Sequence, residues 1–187
     1  AGGTMAYRLA CELPGRFDKI AVSGTLMFGF HVGVCQPSAP VSIAVLLGAL
    51  DDTAPVEGRE SQVSGDESLR MYSLDETLAF WAERNGCDPE AIQAEAGLTQ
   101  YSSCSDDTTV TGYVLEGVGH NWPRTGDYAL NQVGIDMATL ITSYFMENSA
   151  PTNPTADTST QSALRGCARD LASATPRLTT LALGLVM

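Results

Sequence analysis

The stretch Val41-Ser-Ile-Ala-Val-Leu-Leu47-Gly-Ala-Leu-Asp-Asp52 decides the reading of this chain. Seven residues with almost no polar character, closed by a glycine and two acids, read as a strand buried on both faces that ends in a turn. A second stretch repeats the pattern: Val110-Thr-Gly-Tyr-Val-Leu-Glu116 runs into Gly117-Val-Gly-His-Asn-Trp-Pro123. In open sheets flanked by helices, chemistry sits just beyond the carboxyl ends of the strands. One strand end here offers an acid and the other a histidine.

Working outward, Gly3–Glu12 reads as a helix with Met5, Ala6, Leu9 and Ala10 on one face and a stop at Pro14-Gly15. Lys19–Ser23 reads as a buried strand, Leu26–Pro40 as a loop and Ala54–Ser68 as polar loop. Ser73-Leu-Asp-Glu76 is a capping box. The helix it opens turns Leu74, Leu78 and Trp81 inward and stops at Asn85-Gly86. Asp136–Asn148 reads as a closing helix with Met137, Leu140, Ile141, Tyr144 and Phe145 buried. Helix, strand, helix, strand, helix predicts an α/β fold with a mostly parallel sheet covered by helices. Residues 149–187 change character. Ser149–Thr160 has a linker composition, Ala163–Ala174 has the pattern of a short helix, and Leu178–Met187 is apolar. The division is therefore a folded part over 1–148 and a largely disordered tail over 149–187.

The 187 residues fit one domain, and a 44% hydrophobic content supplies a core. A formal net charge of −12 excludes nucleic acid as a partner, because phosphate binding needs clustered Lys and Arg. No apolar run approaches the roughly 20 residues that span a bilayer, so no membrane partner is expected. Five cysteines without a C-x-x-C pair or a Cys/His cluster point to an oxidising compartment, with no metal or other cofactor. Cys87 and Cys104 flank a polar stretch. A bond between them closes a loop of about 17 residues, worth roughly 3 kcal/mol, with Cα atoms about 5.5–6 Å apart. Cys11 and Cys35 form the other pairing, against the alternative that Cys11 is a small buried helix residue. Cys167 is left over.

His120 lies in a glycine-rich turn, which leaves an imidazole room to swing between a nucleophile and a leaving group. Asp51 is the first acid after its strand, and the neighbouring Asp52 leaves the assignment open by one position. Acid then histidine on successive strand ends is the order of a Ser…Asp…His triad in α/β-hydrolases. A calcium loop built from Asp51, Asp52, Glu57 and Glu60 lacks EF-hand spacing. Ser23 stands at a strand end without the G-x-S-x-G surroundings of a nucleophile elbow. His31, in the apolar loop Phe28-Gly-Phe-His31, reads as packed or substrate-lining.

Several segments together resemble the poly(3-hydroxybutyrate) depolymerase / feruloyl esterase family. Ala1-Gly-Gly-Thr-Met-Ala-Tyr-Arg-Leu-Ala-Cys-Glu-Leu-Pro-Gly-Arg-Phe17 is similar to its helix after the nucleophile. Cys35-Gln-Pro-Ser-Ala-Pro40 is similar to its Cys-x-Pro-x-x-Pro stretch, and Gly48–Gly58 to its acid loop. Ser73–Cys87 resembles its helix before a disulfide, and Gly117-Val-Gly-His-Asn-Trp-Pro123 its Gly-Gly-His-x-Trp-Pro. The resemblance covers about residues 1–148 and selects Asp51 over Asp52. Leu47, Ala49 and Leu50 depart from the usual acid-loop residues.

The resemblance implies a partial α/β-hydrolase whose front strands and nucleophile strand lie outside these residues. The serine is expected immediately before Ala1, whose backbone N–H becomes an oxyanion donor. It further implies a secreted, extracellular enzyme that cleaves esters of polyhydroxyalkanoates or of feruloylated or acetylated polysaccharides. Trp122, Phe30 and His31 are the pocket residues this reading offers. Without the missing strands, the Lys19–Ser23 strand is expected to be a bare sheet edge unless the Leu26–Val34 loop or the Leu178–Met187 tail covers it. Its partner would be the N-terminal part of its own domain. A non-catalytic binding module that keeps the polyester or carbohydrate surface, and a fragment without independent function, are the competing readings.

Overall fold

The computed structural model describes residues 2–13, 15–90, 92–95, 97–123, 136–146 and 182–184, the segments 92–95 and 182–184 by their backbone only. In chain order these form α1 (Gly2–Glu12), β1 (Lys19–Ser23), α2 (Gly29–Val32), β2 (Ser42–Gly48), α3 (Leu74–Arg84), β3 (Ile92–Glu95), β4 (Leu98–Tyr101), β5 (Val110–Leu115), α4 (Met137–Met146) and β6 (Ala182–Gly184). The strands join in one mixed sheet of order β3-β4-β5-β2-β1-β6. The β6–β1, β1–β2 and β2–β5 pairs are parallel, while β4 runs antiparallel to both β5 and β3.

The apolar runs form the middle of this sheet because parallel strands are covered on both faces. Alternate residues of each strand therefore serve different cores. Ile20, Val22, Ile43, Val45 and Leu47 pack with Ala6, Tyr7 and Ala10 of α1 and with Leu74, Leu78 and Trp81 of α3. Ala21, Ala44, Leu46, Leu115 and Val118 pack with Met137, Ile141 and Tyr144 of α4. Leu140 and Phe145, expected in the core, are only half-buried at its margin. Gly112 lets α3 settle on β5, since a Cβ there would stand 2.6 Å from Leu78 Cδ1.

The capping box opens α3 as the sequence predicts. Ser73 Oγ accepts from Glu76 N at 3.1 Å, and Glu76 Oε2 accepts from Ser73 N at 2.8 Å. Glu76 also takes Arg70 Nη2 at 2.8 Å. These contacts, the backbone bond from Ser73 first, hold its carboxyl below the usual range. At the other end Asn85 closes the helix and turns its carboxamide onto the start of β2. Its Oδ1 accepts from Val41 N at 3.1 Å and its Nδ2 donates to Val41 O at 2.8 Å.

Both disulfides form. Cys11–Cys35 ties α1 to the residue chain after α2, with Cα atoms 4.9 Å apart. Cys87–Cys104 closes its 17-residue loop with Cα atoms 3.7 Å apart, closer than expected. The backbones are drawn together on both sides of the bond: Asp88 N donates to Ser102 O at 3.0 Å, and Ser105 N to Asn85 O at 2.8 Å. Cys167 lies outside the described residues. Two disulfides are the covalent pattern of an oxidising, non-cytoplasmic compartment.

Three expectations need correction. The sheet is mixed, because the segment between the two disulfide cysteines holds the β3–β4 hairpin where a polar loop was expected. The Leu26–Pro40 loop contains a short helix, α2. β1 is no bare edge: β6 pairs with it in parallel register, Ile20 with Ala182, Ala21 with Leu183 and Val22 with Gly184. Ala182–Gly184 of the tail thus form the cover that the tail-covering alternative foresaw. The rest of 149–187, including the expected helix at Ala163–Ala174, lies outside the described residues.

Candidate functional site

Three parallel strand ends meet at one place. At the end of β2, Ala49 N donates to Leu115 O at 3.0 Å and Leu50 N to Val118 O at 2.9 Å, so the two turns run on together past the sheet. They are pressed tightly: a Cβ on Gly48 would stand 2.1 Å from Val118 O, which only glycine avoids. Asp51 N closes the first turn by donating to Gly48 O at 3.1 Å. Beyond β5, Gly117 takes φ +71°, and Val118 plants its side chain in the α4-side core. These two anchors carry Asp51 and His120 to each other.

The Asp51 carboxylate is buried, its side chain only 1% exposed, against 32% for His120. Its Oδ1 accepts from Thr53 N at 2.9 Å and from Ala54 N at 2.8 Å, an Asx-type turn that fixes the side chain. His120 Nδ1 lies 2.9 Å from Oδ2 and 3.1 Å from Oδ1. Facing a carboxylate, Nδ1 carries the hydrogen, which leaves Nε2 as the basic nitrogen. From the third strand end, Gly24 at φ +65° backs the imidazole. A Cβ built there would stand 3.3 Å from Cε1 of His120. The next residue, Thr25, touches the start of α1: a Cβ on Gly3 would stand 2.4 Å from Thr25 Cγ2 and 2.7 Å from Val22 Cγ1. The two residues of the Gly24-Thr25 turn thus stand against the His120 ring and the start of α1 respectively.

Asp52 plays no part in this contact. It is exposed, and its carbonyl oxygen accepts from the Arg59 guanidinium. Glu60 pairs with Arg70 at 3.4 Å. Among the described residues no group of three or more His, Cys, Asp and Glu side chains is placed to hold a metal ion. Ala1 lies outside the described residues, as a site residue expected from the sequence but not placed here.

Of the expected pocket residues, Phe30 and His31 come together, with ring centroids 4.2 Å apart, but in a cavity that Trp122 does not line. His31 is buried among Tyr7, Phe28 and Phe30. Its Nδ1 accepts from Phe28 N at 3.0 Å and its Nε2 donates to Thr4 O at 3.3 Å. Both nitrogens are occupied in holding α2 against α1, and burial pushes the imidazole below its ordinary pKa. With Phe30, Arg8, Cys11, Glu12 and Val34 it lines a cavity of about 260 Å³ that includes neither Asp51 nor His120. Trp122 is half-buried against the α4-side core.

Sequence reasoning missed Gly24 as the wall behind His120. Its signal was present, a glycine directly after a buried strand. The backbone donors of Thr53 and Ala54 carry no side-chain signal. No helix among the described residues is long and apolar enough to cross a membrane. Comparison of the chain with protein-family models and with curated proteins finds no match.

Proposed function

We propose that this chain carries the acid and the histidine of a secreted serine esterase of the α/β-hydrolase type, acting on polyester or plant-polysaccharide esters. The observation that carries the reading is the Asp51–His120 contact at 2.9 Å between neighbouring parallel strand ends. The resemblance of residues 1–148 supplies the esterase class and the place of the serine, immediately before Ala1. The Gly24-Thr25 turn, which touches both His120 and the start of α1, supports a nucleophile at that helix start.

In this mechanism the serine hydroxyl attacks the ester carbonyl while Nε2 of His120 takes its proton. The tetrahedral oxyanion is held by backbone N–H groups, that of Ala1 among them. When the intermediate collapses, the carbon–oxygen bond to the alcohol breaks and His120 returns the proton to the departing oxygen. Water then attacks the acyl-enzyme, giving its proton to His120, and the serine regains a proton as the acid leaves. Asp51 holds the imidazole in the Nδ1–H tautomer throughout and stabilises its charged form. The buried carboxylate, fixed by Thr53 and Ala54, suits that duty.

The test is to react the natural gene product that contains these residues with a fluorophosphonate probe and to map the adduct by mass spectrometry. An adduct on a serine joined directly to Ala1, lost after His120→Ala, supports the reading. An adduct on a serine within residues 1–187, or no adduct in a preparation active on esters, overturns it.

A further inference from the structure

β1 pairs on one side with β2 over five residues, Lys19–Ser23 with Ser42–Leu46. On its other side it pairs with β6 over three. Ile20, Ala21 and Val22 are buried, at 0%, 3% and 0% exposure, so the N–H and C=O groups along that edge need a partner strand. The partner present is a tenuous one. It is three residues long, and residues 147–181 separate it from α4. Three residue pairs return few ladder bonds.

The same slot has another natural claimant. α1 lies against β1, with Gly3 pressed on Val22 and Thr25, and joins it through a short link. A strand running into α1 would form a right-handed strand–helix–strand unit with β1 and lie parallel beside it. β2 fills one side of β1, so the open position is the one β6 holds, and β6 already has the parallel sense required.

We infer that the outer edge of β1 is an exchangeable strand-binding site. β6 is its resident occupant, and the strand that leads into α1 displaces it. This rests on the proposed function, since that incoming strand would deliver the serine. The recognition is main-chain pairing to an exposed strand edge, with an apolar strand as ligand. β6 then serves as a detachable cover. It protects an edge that would otherwise recruit other chains, and it gives way when the domain is completed.

The test begins with the 187-residue chain and a labelled peptide of residues 178–187, the nearest available parallel strand. Wild-type chain should take up the peptide slowly and saturably. In Leu183→Pro, which removes one main-chain donor from β6, hydrogen exchange at Ile20–Val22 should speed up at least about ten-fold, since ladder partners set local protection. The wild-type peptide should restore protection, and a peptide with the same proline should not. Unchanged protection in Leu183→Pro, or loss that the peptide fails to restore, overturns the inference. If the variant loses protection in α3 as well, it has unfolded and peptide uptake by wild type decides: no uptake overturns.

The second arm uses the natural gene product with its residues before Ala1. Ala182–Gly184 should exchange freely there while Ile20–Val22 stay protected. Protection of both segments in both proteins overturns the exchange. Because the readout is amide protection, the inference can fail while a serine adduct is found, or hold while none is.

Discussion

The Nδ1 of His120 stands 2.9 Å from Oδ2 of Asp51, an acid whose side chain is nearly sealed from solvent while the histidine's remains a third exposed. That asymmetry orders the ring from its buried edge and leaves the other nitrogen to face chemistry. Nitrogen-15 NMR of the imidazole should show the Nδ1–H tautomer. Asp51→Asn offers an amide NH₂ in place of one carboxylate oxygen and should shift the population toward Nε2–H. In the natural gene product the same substitution should lower kcat by about 10⁴-fold, the order seen when a triad acid becomes an amide. An unchanged tautomer would remove Asp51 from the proposed role.

No serine among residues 1–187 stands in a Gly-x-Ser-x-Gly elbow. The 187-residue chain should therefore turn over p-nitrophenyl acetate and methyl ferulate at background rate, and His120→Ala should change nothing. Loss of a nucleophile leaves only the residual catalysis of binding and oxyanion contacts. Robust turnover abolished by His120→Ala would mean that a serine within the chain serves, and Ser23, at the strand end beside Gly24, would be the first to examine.

How far the sequence could be read depends on the range of the interactions concerned. The capping box at Ser73 and Glu76 is decided within four residues, so the pattern and the observed bonds coincide. β1, β2 and β5 announce themselves because burial on two faces makes their runs largely apolar, with Ser23, Ser42 and Thr111 the buried polar exceptions. The β3–β4 hairpin does not. Gln93, Glu95, Thr99 and Gln100 interrupt its apolar residues, as befits the rim of a sheet, and the turn rests on Gly97 at φ +80°. β6 was legible only as one of two possible covers of the β1 edge, because its pairing joins residues far apart in the chain and nothing local decides between the tail and the Leu26–Val34 loop. The Asp51–His120 contact was legible because both residues follow strands that the pattern makes neighbours. For His31 the apolar loop gave packing as one of two readings, but not its hydrogen bonds, because both partners are main-chain groups.

His31 sets a pH dependence of stability. Its folded pKa lies below the ordinary 6.5, first through burial, against a smaller opposing bond to Thr4 O. The unfolded chain therefore binds a proton before the folded one does, and stability rises with pH across that interval. It is full above about 6.5 and falls as pH drops from there toward the folded value. Protonation also removes the acceptor that Phe28 N uses. Thermal melts from pH 7 to pH 5 should show a falling Tm, with a smaller fall in His31→Gln. Parallel curves for the two proteins would contradict the assignment.

Cys87–Cys104 closes a loop of 17 residues that contains the antiparallel hairpin and the start of its pairing to β5. The Cys87→Ser/Cys104→Ser double variant should lose roughly 3 kcal/mol, as chain-entropy arguments give for a loop of this size. Urea melts would measure it. Hydrogen exchange should rise first in Leu98–Tyr101, because that strand lies outside the buried parallel centre. A loss spread evenly over β1 and β2 would show that the bond supports the whole sheet.

Asn85 does for Val41 what a neighbouring strand would do. Its side-chain oxygen takes the Val41 N–H at 3.1 Å and its side-chain NH₂ serves the Val41 carbonyl at 2.8 Å, with both residues buried. Val41 directly precedes β2, the strand that ends at the acid loop, so this amide fixes where the central strand begins. Asn85→Ala would strand a buried donor and a buried acceptor together. At about 1–3 kcal/mol for each unsatisfied group, the loss should come to roughly 2–6 kcal/mol. At about 2–4 °C per kcal/mol for a chain of this length, Tm should drop by at least about 4 °C. Asn85→Asp separates shape from hydrogen bonding. The carboxylate keeps an acceptor for Val41 N–H but has no hydrogen for Val41 O, and it buries a charge, so it should be no more stable than the alanine variant. If Asn85→Asp instead matches wild type, the bond to the Val41 carbonyl carries no weight, and the start of β2 is held by its packing alone.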